Sequence, residues 1–454
     1  MSSSDTETKS DLPALDSMAR IGESGGMARD SILRDQSFWG LAITQFFGAF
    51  NDNLYKQLML LLAIPAIGAN ISEDAQGWAT TVFGLPFVLL SSLAGYLSDK
   101  HSKSRIIVLC KVAEVAITLL AVGAFLSYAQ LGDVGTWTVL ILMGVHSTFF
   151  GPGKYGILPE LFHKDELPRA NGLILMSTFL AIILGVVTAG LLKDVLVVEN
   201  ADGTADYRNL WIGSLVCTGI AVVGTLTALM IQYTPPAQPA AQLSFSDLGM
   251  PVPIRKLLKS DQPLTFAIIV SSMFYIVAGI VMPTVNSLGK LQLKLESSTS
   301  ISILTGGLAI GIIIGAVLAN IVLKRVAPSK QVTLGTYAMI LSLLALGCWQ
   351  RGGDHLLGYW GALLGLILTG LAAAVFIIPL QVFLQKRSPA ELKGRMIGTM
   401  NFANFIGILI AGPLYQVFLM IASALNWPVS SVFWMLAILL VPIALLYRLP
   451  LSES

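Results

Sequence analysis

Apolar runs long enough to cross a bilayer recur along the chain, with short polar breaks between them. A span needs about 20 mostly apolar residues. Runs of that kind fall near 38–66, 77–97, 106–128, 136–158, 170–192 and 210–233, and again near 263–288, 301–323, 332–349, 357–383, 396–422 and 430–448. The pattern predicts an all-α, polytopic membrane protein: twelve transmembrane helices in two six-helix bundles, 37–233 and 263–448. Between them lies the least apolar internal stretch, 234–262, with Pro235, Pro236 and Pro239 and then Arg255, Lys256 and Lys259. It reads as a cytoplasmic linker with a short amphipathic segment. Residues 1–36 are polar, lack the apolar core of a cleavable signal peptide and read as a disordered cytoplasmic tail. Residues 449–454 read as a cytoplasmic C-terminus.

Composition agrees with the pattern. Hydrophobic residues make up 55% and charged residues only 12% of the 454, against roughly 25% charged in a soluble domain, so soluble readings are excluded. A net charge of +2 gives no reason to expect a nucleic-acid partner. The placement of the charge is more informative. With the N-terminus inside, twenty of the 28 Lys and Arg fall in the tail, the even-to-odd loops and the C-terminus, and five on the other side. That bias puts both termini of a multi-pass membrane protein in the cytoplasm.

Enzymatic chemistry finds little support. Cys110, Cys217 and Cys348 lie singly in apolar runs, without metal or disulfide spacing, and read as small packing residues. His101, His146, His163 and His355 are scattered, with no nucleophile–base set. No strand is expected, and so no strand-borne phosphate loop. No catalytic residue, metal or cofactor is predicted, and a nucleotide-driven pump is disfavoured.

The two halves echo each other. A shift of 225 residues carries Asp99-Lys100 onto Lys324-Arg325, Arg105 onto Lys330 and Glu166 onto Glu391. The loop before the fifth span of each half holds an acid and then a base: Glu166 with Arg169, and Glu391 with Arg395. Between the second and third spans stand Gly95, Asp99, Lys100, Lys103 and Arg105. This segment resembles the signature loop of the major facilitator superfamily, with Ser102 where a glycine is usual. A solvated basic loop explains the three bases but not an acid placed after Gly95. The resemblance implies a fold of two pseudo-symmetric bundles working by alternating access. It also implies a latch in which Gly95 permits close helix approach and Asp99 accepts from backbone N–H groups near Lys393–Arg395.

Ionisable residues inside a span are costly unless paired or hydrated, and here they crowd into the first half. Gln45, Gly48, Asp52 and Lys56 recur at helical spacing on span one, beside Asn53, and Asp52–Lys56 has the acid-first i,i+4 order that favours a pair. Lys111 and Glu114 share a face of span three. Span four ends on Lys154, Tyr155 and Glu160. In the second half the polar positions are Asn286, on a stripe with Tyr275, Gly279 and Met282, then Gln381 beside Pro379, and Asn401 with Asn404. A cavity charged on one wall and neutral on the other suits an amphiphile. The structural alternatives stay open: ion pairs that fix helix register, asparagines as interhelical glue, and His146 in a helix–helix hydrogen bond ahead of a proton relay.

Residues 44–53 and 150–160, with Glu166 to Gly172, resemble the bacterial lysophospholipid transporter family, especially the transporter part of its acyltransferase-fused members. The resemblance implies flipping of lysophospholipids, chiefly lysophosphatidylethanolamine, across the bacterial inner membrane. Lys56, Lys111 or Lys154 would hold the phosphate, and Asp52 or Glu114 the ammonium. With the sequence ending at Ser454, any acyltransferase is expected as a separate partner. The competing readings are a proton-coupled transporter of small amphiphilic solutes or drugs and, in another class, a membrane-bound enzyme.

Overall fold

A computed structural model describes residues 32–163, 166–199, 205–240, 250, 252–322, 325–389 and 392–447. Among them run twelve long helices: α1 (Gln36–Leu62), α2 (Gln76–Lys100), α3 (Lys103–Leu126), α4 (Asp133–Gly156), α5 (Leu167–Leu196), α6 (Leu210–Ala228), α7 (Gln262–Ser287), α8 (Ser298–Val317), α9 (Pro328–Leu346), α10 (Gly358–Arg387), α11 (Lys393–Ala424) and α12 (Ser431–Leu446). Nine are long and apolar enough to span a membrane by length and composition. The other three are α1, with its polar face, α9, which opens on Ser329, Lys330 and Gln331, and the 16-residue α12. The chain is a multi-pass membrane protein.

Local chemistry sets the ends. Asp35 caps α1 by accepting from the Phe38 amide at 3.0 Å, Ser102 caps α3, and Asp261 caps α7, each satisfying an amide that a helix start leaves free. The apolar run of α1 reaches residue 66, but the helix stops at Leu62. Pro65 disfavours helical geometry in the residue before it. One expectation fails outright: the loop after α5 holds a two-residue antiparallel ladder, Val198–Glu199 against Ala205–Asp206. The segment Val252–Ser260 is helical, buries Ile254 and leaves Arg255, Lys256 and Lys259 exposed. Most of the first 36 residues, with 241–249 and 448–454, lie outside the described residues.

The packing repeats at an interval of six helices. In the first half α1 packs on α5, α2 on α4, α3 on α6, and α3 on α4; in the second α7 packs on α11, α8 on α10, α9 on α12, and α9 on α10. The halves meet through α2 against α11 and α5 against α8, two contacts that the same shift interchanges. The cores differ, however. The C-terminal bundle has one continuous apolar cluster. The N-terminal bundle has two, one around Leu54, Phe125, Leu140 and Cys217 and another around Leu41, Ile107, Phe150 and Ala228.

The two halves are splayed. Gly77, Gly84 and Gly95 recur on one face of α2, which meets the α11 face of Gly412, Ile408, Phe405 and Gly398. At one end the backbones touch: a β-carbon on Gly77 would lie 2.6 Å from the Gly412 carbonyl oxygen. Midway, the Phe87 and Phe405 rings stack at 4.1 Å. Toward the other end, neither Gly95 nor Gly398 has any atom within 4 Å of a β-carbon position. The α5–α8 pair behaves alike. A β-carbon on Gly190 would lie 2.4 Å from the Ser298 carbonyl oxygen, while one on Gly172, five turns away on the same face, would meet nothing within 4 Å. The molecule is sealed at the end carrying loop 63–75 and open at the end carrying Lys100, Lys103 and Arg105, the basic end.

Candidate functional site

The gap between the two N-terminal clusters is filled by a polar layer. Its centre is the pair Lys111–Glu114 on α3, both side chains fully buried. Asn51 on α1 donates to Glu114 Oε1 at 2.8 Å and to the Cys217 carbonyl of α6 at 3.0 Å. His146 on α4 stands between two carboxylates, with Nε2 3.5 Å from Glu114 Oε2 and Nδ1 3.9 Å from Asp52 Oδ1. Ser147 donates to Asp52 Oδ2 at 2.6 Å. Two glycines make room for the lysine: a β-carbon on Gly48 would sit 3.5 Å from Lys111 Nζ, and one on Gly224 only 2.9 Å away. Four helices thus converge on one chain of groups, Lys111–Glu114–His146–Asp52. Only Asp52 reaches its edge, with a side chain one-fifth exposed.

This arrangement corrects several expectations. Asp52 and Lys56 do not form the intrahelical pair: Asp52 turns to α4, and Lys56 lies over the Phe83 ring of α2, 5.4 Å from its centroid. Lys111 and Glu114 do not line an exposed wall, because α1, α4 and α6 cover them. Gln45 is buried and donates to Thr178 on α5 at 3.0 Å. Asn53 returns to its own helix at Ala49. Lys154 is half-buried at the basic end of α4, and the Tyr155 side chain is outside the described residues. On the C-terminal side Asn404 accepts from Ser271 at 2.9 Å, an α7–α11 contact within one bundle, and Gln381 is half-buried on α10.

Asn286 has a different place. It accepts from Gln57 on α1 at 2.9 Å and from Thr305 on α8 at 3.0 Å, and donates to Gln76 on α2 at 2.9 Å, so it ties the two halves together at the sealed end. Beside it the Asp74 carboxylate, 1% exposed, accepts from Ser287, from Tyr415 at 2.9 Å and from the Gln76 amide at 2.9 Å. Asp194, at the end of α5, accepts from the Ser298 amide at 2.6 Å and the Thr299 amide at 2.9 Å, capping α8 across the interface. Apart from the stripe that carries Asn286, the sequence offered no period or motif for this seal. Its acids sit at helix ends, where an acid usually signals only a cap or a loop. Asp74→Ala would leave the Ser287 hydroxyl and the Gln76 backbone amide without this acceptor and Tyr415 with only its 3.3 Å bond to Ser287, a cost of about 1–3 kcal/mol. The expected result is faster labelling of a cysteine placed at Ser287 by an impermeant thiol reagent, and an unchanged rate would refute the seal.

Among the described residues, those expected to gate the other end are not joined across it. Gly95 makes no close approach. The Asp99 carboxylate has no hydrogen-bond partner among the described residues, and the Asp99 carbonyl accepts from the linker amide of Gln238 at 2.8 Å. Lys100 donates to Tyr96 at 2.8 Å, Lys103 pairs with Glu160, and Arg105 stacks on Tyr233, all within the N-terminal half and its linker. Glu166 accepts from the His163 amide at 3.2 Å, Arg169 and Arg395 are exposed, and Glu391 lies outside the described residues.

With a sealed end, an open end and a buried charge layer established, the relationships become specific. The family model for the Major Facilitator Superfamily matches residues 41–412, with a second, overlapping match over 291–454. The chain belongs to the Major Facilitator Superfamily. It is 29% identical over 398 residues to the lysophospholipid transporter LplT of Photorhabdus laumondii subsp. laumondii, covering 82% of this chain and 86% of that protein. The LplT of Enterobacter sp. is 28% identical over 409 residues, covering 86% and 91%. Among solved structures, the nucleoside transporter NupG aligns with a TM-score of 0.63 at 14% identity, over 90% of this chain and 97% of that one. A bacterial homologue of the iron transporter ferroportin in its inward-facing state aligns at 0.63 with 12% identity, over 92% and 100%. These two likenesses concern the fold alone. As a Major Facilitator Superfamily member, the chain is a transporter.

Proposed function

We propose that this transporter moves lysophospholipids across a bacterial inner membrane by alternating access, with its basic end in the cytoplasm and the conformation described here open inward. The observation that carries the reading is the alignment, over more than four-fifths of the chain, with relatives that bear the lysophospholipid transporter name. The geometry supports it. The paired splay of α2 from α11 and of α5 from α8 leaves gaps at the basic end on both flanks of the crevice, through which a lipid can enter sideways from the membrane. Asp52 presents a carboxylate to an ammonium, Lys154 a cation to a phosphate, and the largely apolar C-terminal bundle a surface for one acyl chain. The excess of Lys and Arg at the open end supports that orientation.

Purified protein in liposomes should move labelled lysophosphatidylethanolamine between leaflets faster than empty liposomes do, and should leave labelled diacyl phosphatidylethanolamine in place. Asp52→Asn and Lys154→Ala each remove one charge-assisted contact, worth about 1.5–3 kcal/mol, and should slow that movement about ten- to a hundredfold. Wild-type rates in both variants would end the assignment of these residues. Absence of lysolipid movement by the wild type would end the reading itself.

A further inference from the structure

The sealed end is built around a carboxylate without a cation. Asp74 is 1% exposed, and it forms no ion pair among the described residues. Four donors hold it instead, and they come from both halves. Gln76, in its own half, gives its backbone amide to Oδ1 at 2.9 Å and its side-chain amide to Oδ2 at 3.0 Å. From the other half, the hydroxyls of Ser287 on α7 and Tyr415 on α11 also donate to Oδ2 and stand 3.3 Å apart. Asp194, on the second seam, is held differently: Ser297, Ser298 and Thr299 donate to it, all at the start of α8. Parting of the halves would strip Asp194 of every one of these donors. It would leave Asp74 still aimed by Gln76, with two donors missing from one oxygen. An anion left short of donors is costly away from water, and a cation that brings N–H groups satisfies it best.

We propose that Asp74 is an ammonium-binding site of the outward-open state, and that the headgroup it receives there draws the sealed end open. The inference rests on the lysolipid reading and names the group that works its outer gate. In the sealed state Oδ2 is filled, and a ligand has no access to it. Once α7 and α11 swing away, an ammonium group places N–H bonds where the Ser287 and Tyr415 hydroxyls were. It meets an oxygen that Gln76 still orients. A ligand that binds one state alone shifts the population toward that state, by as much as its preference allows. The headgroup of lysophosphatidylethanolamine carries such an ammonium, and Asp74 meets it before Asp52 does. A phosphate-bearing headgroup without one faces a bare carboxylate and is repelled.

The test places a reporter on the other seam, Ser302→Cys in a Cys348→Ser background. Ser302 is fully buried on α8 against Gly190, and its hydroxyl has no hydrogen-bond partner among the described residues. Right-side-out membrane vesicles are treated with an impermeant thiol reagent while lysolipid is supplied to the outer leaflet. Lysophosphatidylethanolamine should speed labelling about tenfold, as a ligand preferring the open state by that ratio would. Lysophosphatidylglycerol of the same chain length should leave the rate unchanged. Asp74→Asn removes the charge but keeps a side chain that both hydroxyls can bond, and its labelling should respond to neither lipid. The comparison of the two lipids needs no change at Asp74, so it stands even where that variant fails to fold. Equal acceleration by both lipids, or by neither in vesicles that move lysophosphatidylethanolamine, overturns the inference and leaves the lysolipid reading intact. A response to lysophosphatidylethanolamine that persists in Asp74→Asn overturns the assignment to that carboxylate. Vesicles that move no lysophosphatidylethanolamine overturn the reading and the inference together.

Discussion

Lys111→Met should destabilise the protein by about 3–5 kcal/mol, the cost of stranding a buried charge by removing its partner. Lys111 is fully buried, and among the described residues its only ion-pair partner is Glu114. Methionine fills much of the same space between Gly48 and Gly224 but leaves Glu114 buried without its ion-pair partner. The expected result is a large fall in the thermal unfolding midpoint of the detergent-solubilised protein and low yield from the membrane. Glu114→Gln added to Lys111→Met should recover most of the lost stability, because the amide can still accept from Asn51, which donates at 2.8 Å, while the stranded charge is gone. Equal instability of the single and double variants would show that the lysine acts through its volume and not its charge.

Gly412→Val should hold the transporter away from the sealed conformation. A β-carbon at 412 would lie 2.0 Å from Thr81 Oγ1 and 2.2 Å from the Gly77 carbonyl. The Gly77 carbonyl is backbone and cannot retreat while α2 and α11 stay in contact, and backbone contacts this close are what small residues at membrane-helix interfaces allow. Overpacking of this kind costs about 1–3 kcal/mol, and each 1.4 kcal/mol shifts a two-state population about tenfold. Lysolipid movement should fall about five- to a hundredfold, and a cysteine at Ser287 should become reactive from the side of loop 63–75. Gly398→Val is the counterpart. Position 398 meets open space here, so the sealed state tolerates valine, and the cost falls on the state in which the basic ends close together. The two variants should therefore shift accessibility in opposite directions, and a shift in the same direction would contradict the rocking of α2 against α11.

The number, order and approximate limits of the twelve helices could be read from the sequence, because the hydrocarbon core imposes a length on every apolar run and the Lys and Arg between runs mark one side. The superfamily could be read too, from Gly95, Asp99 and the bases after them. Residue types alone also marked α1, α3 and α4 as the place where charge enters the membrane. Partners were another matter. Helical spacing gave Asp52 to Lys56 and left His146 alone, since periodicity places residues on a face without saying which neighbouring helix that face meets. Only the packing of α1 against α3, α4 and α6 turned Asp52 toward His146, covered Lys111 and divided the N-terminal core. The seal was hidden for the same reason: Asp74, Asn286, Tyr415 and Asp194 lie far apart in the chain, and their hydrogen bonds exist only while the two bundles touch at that end. A bilayer constrains each segment by itself, so one sequence suffices to find the spans. A site between helices is a property of their contacts, and these are fixed only when the tertiary fold brings the faces together.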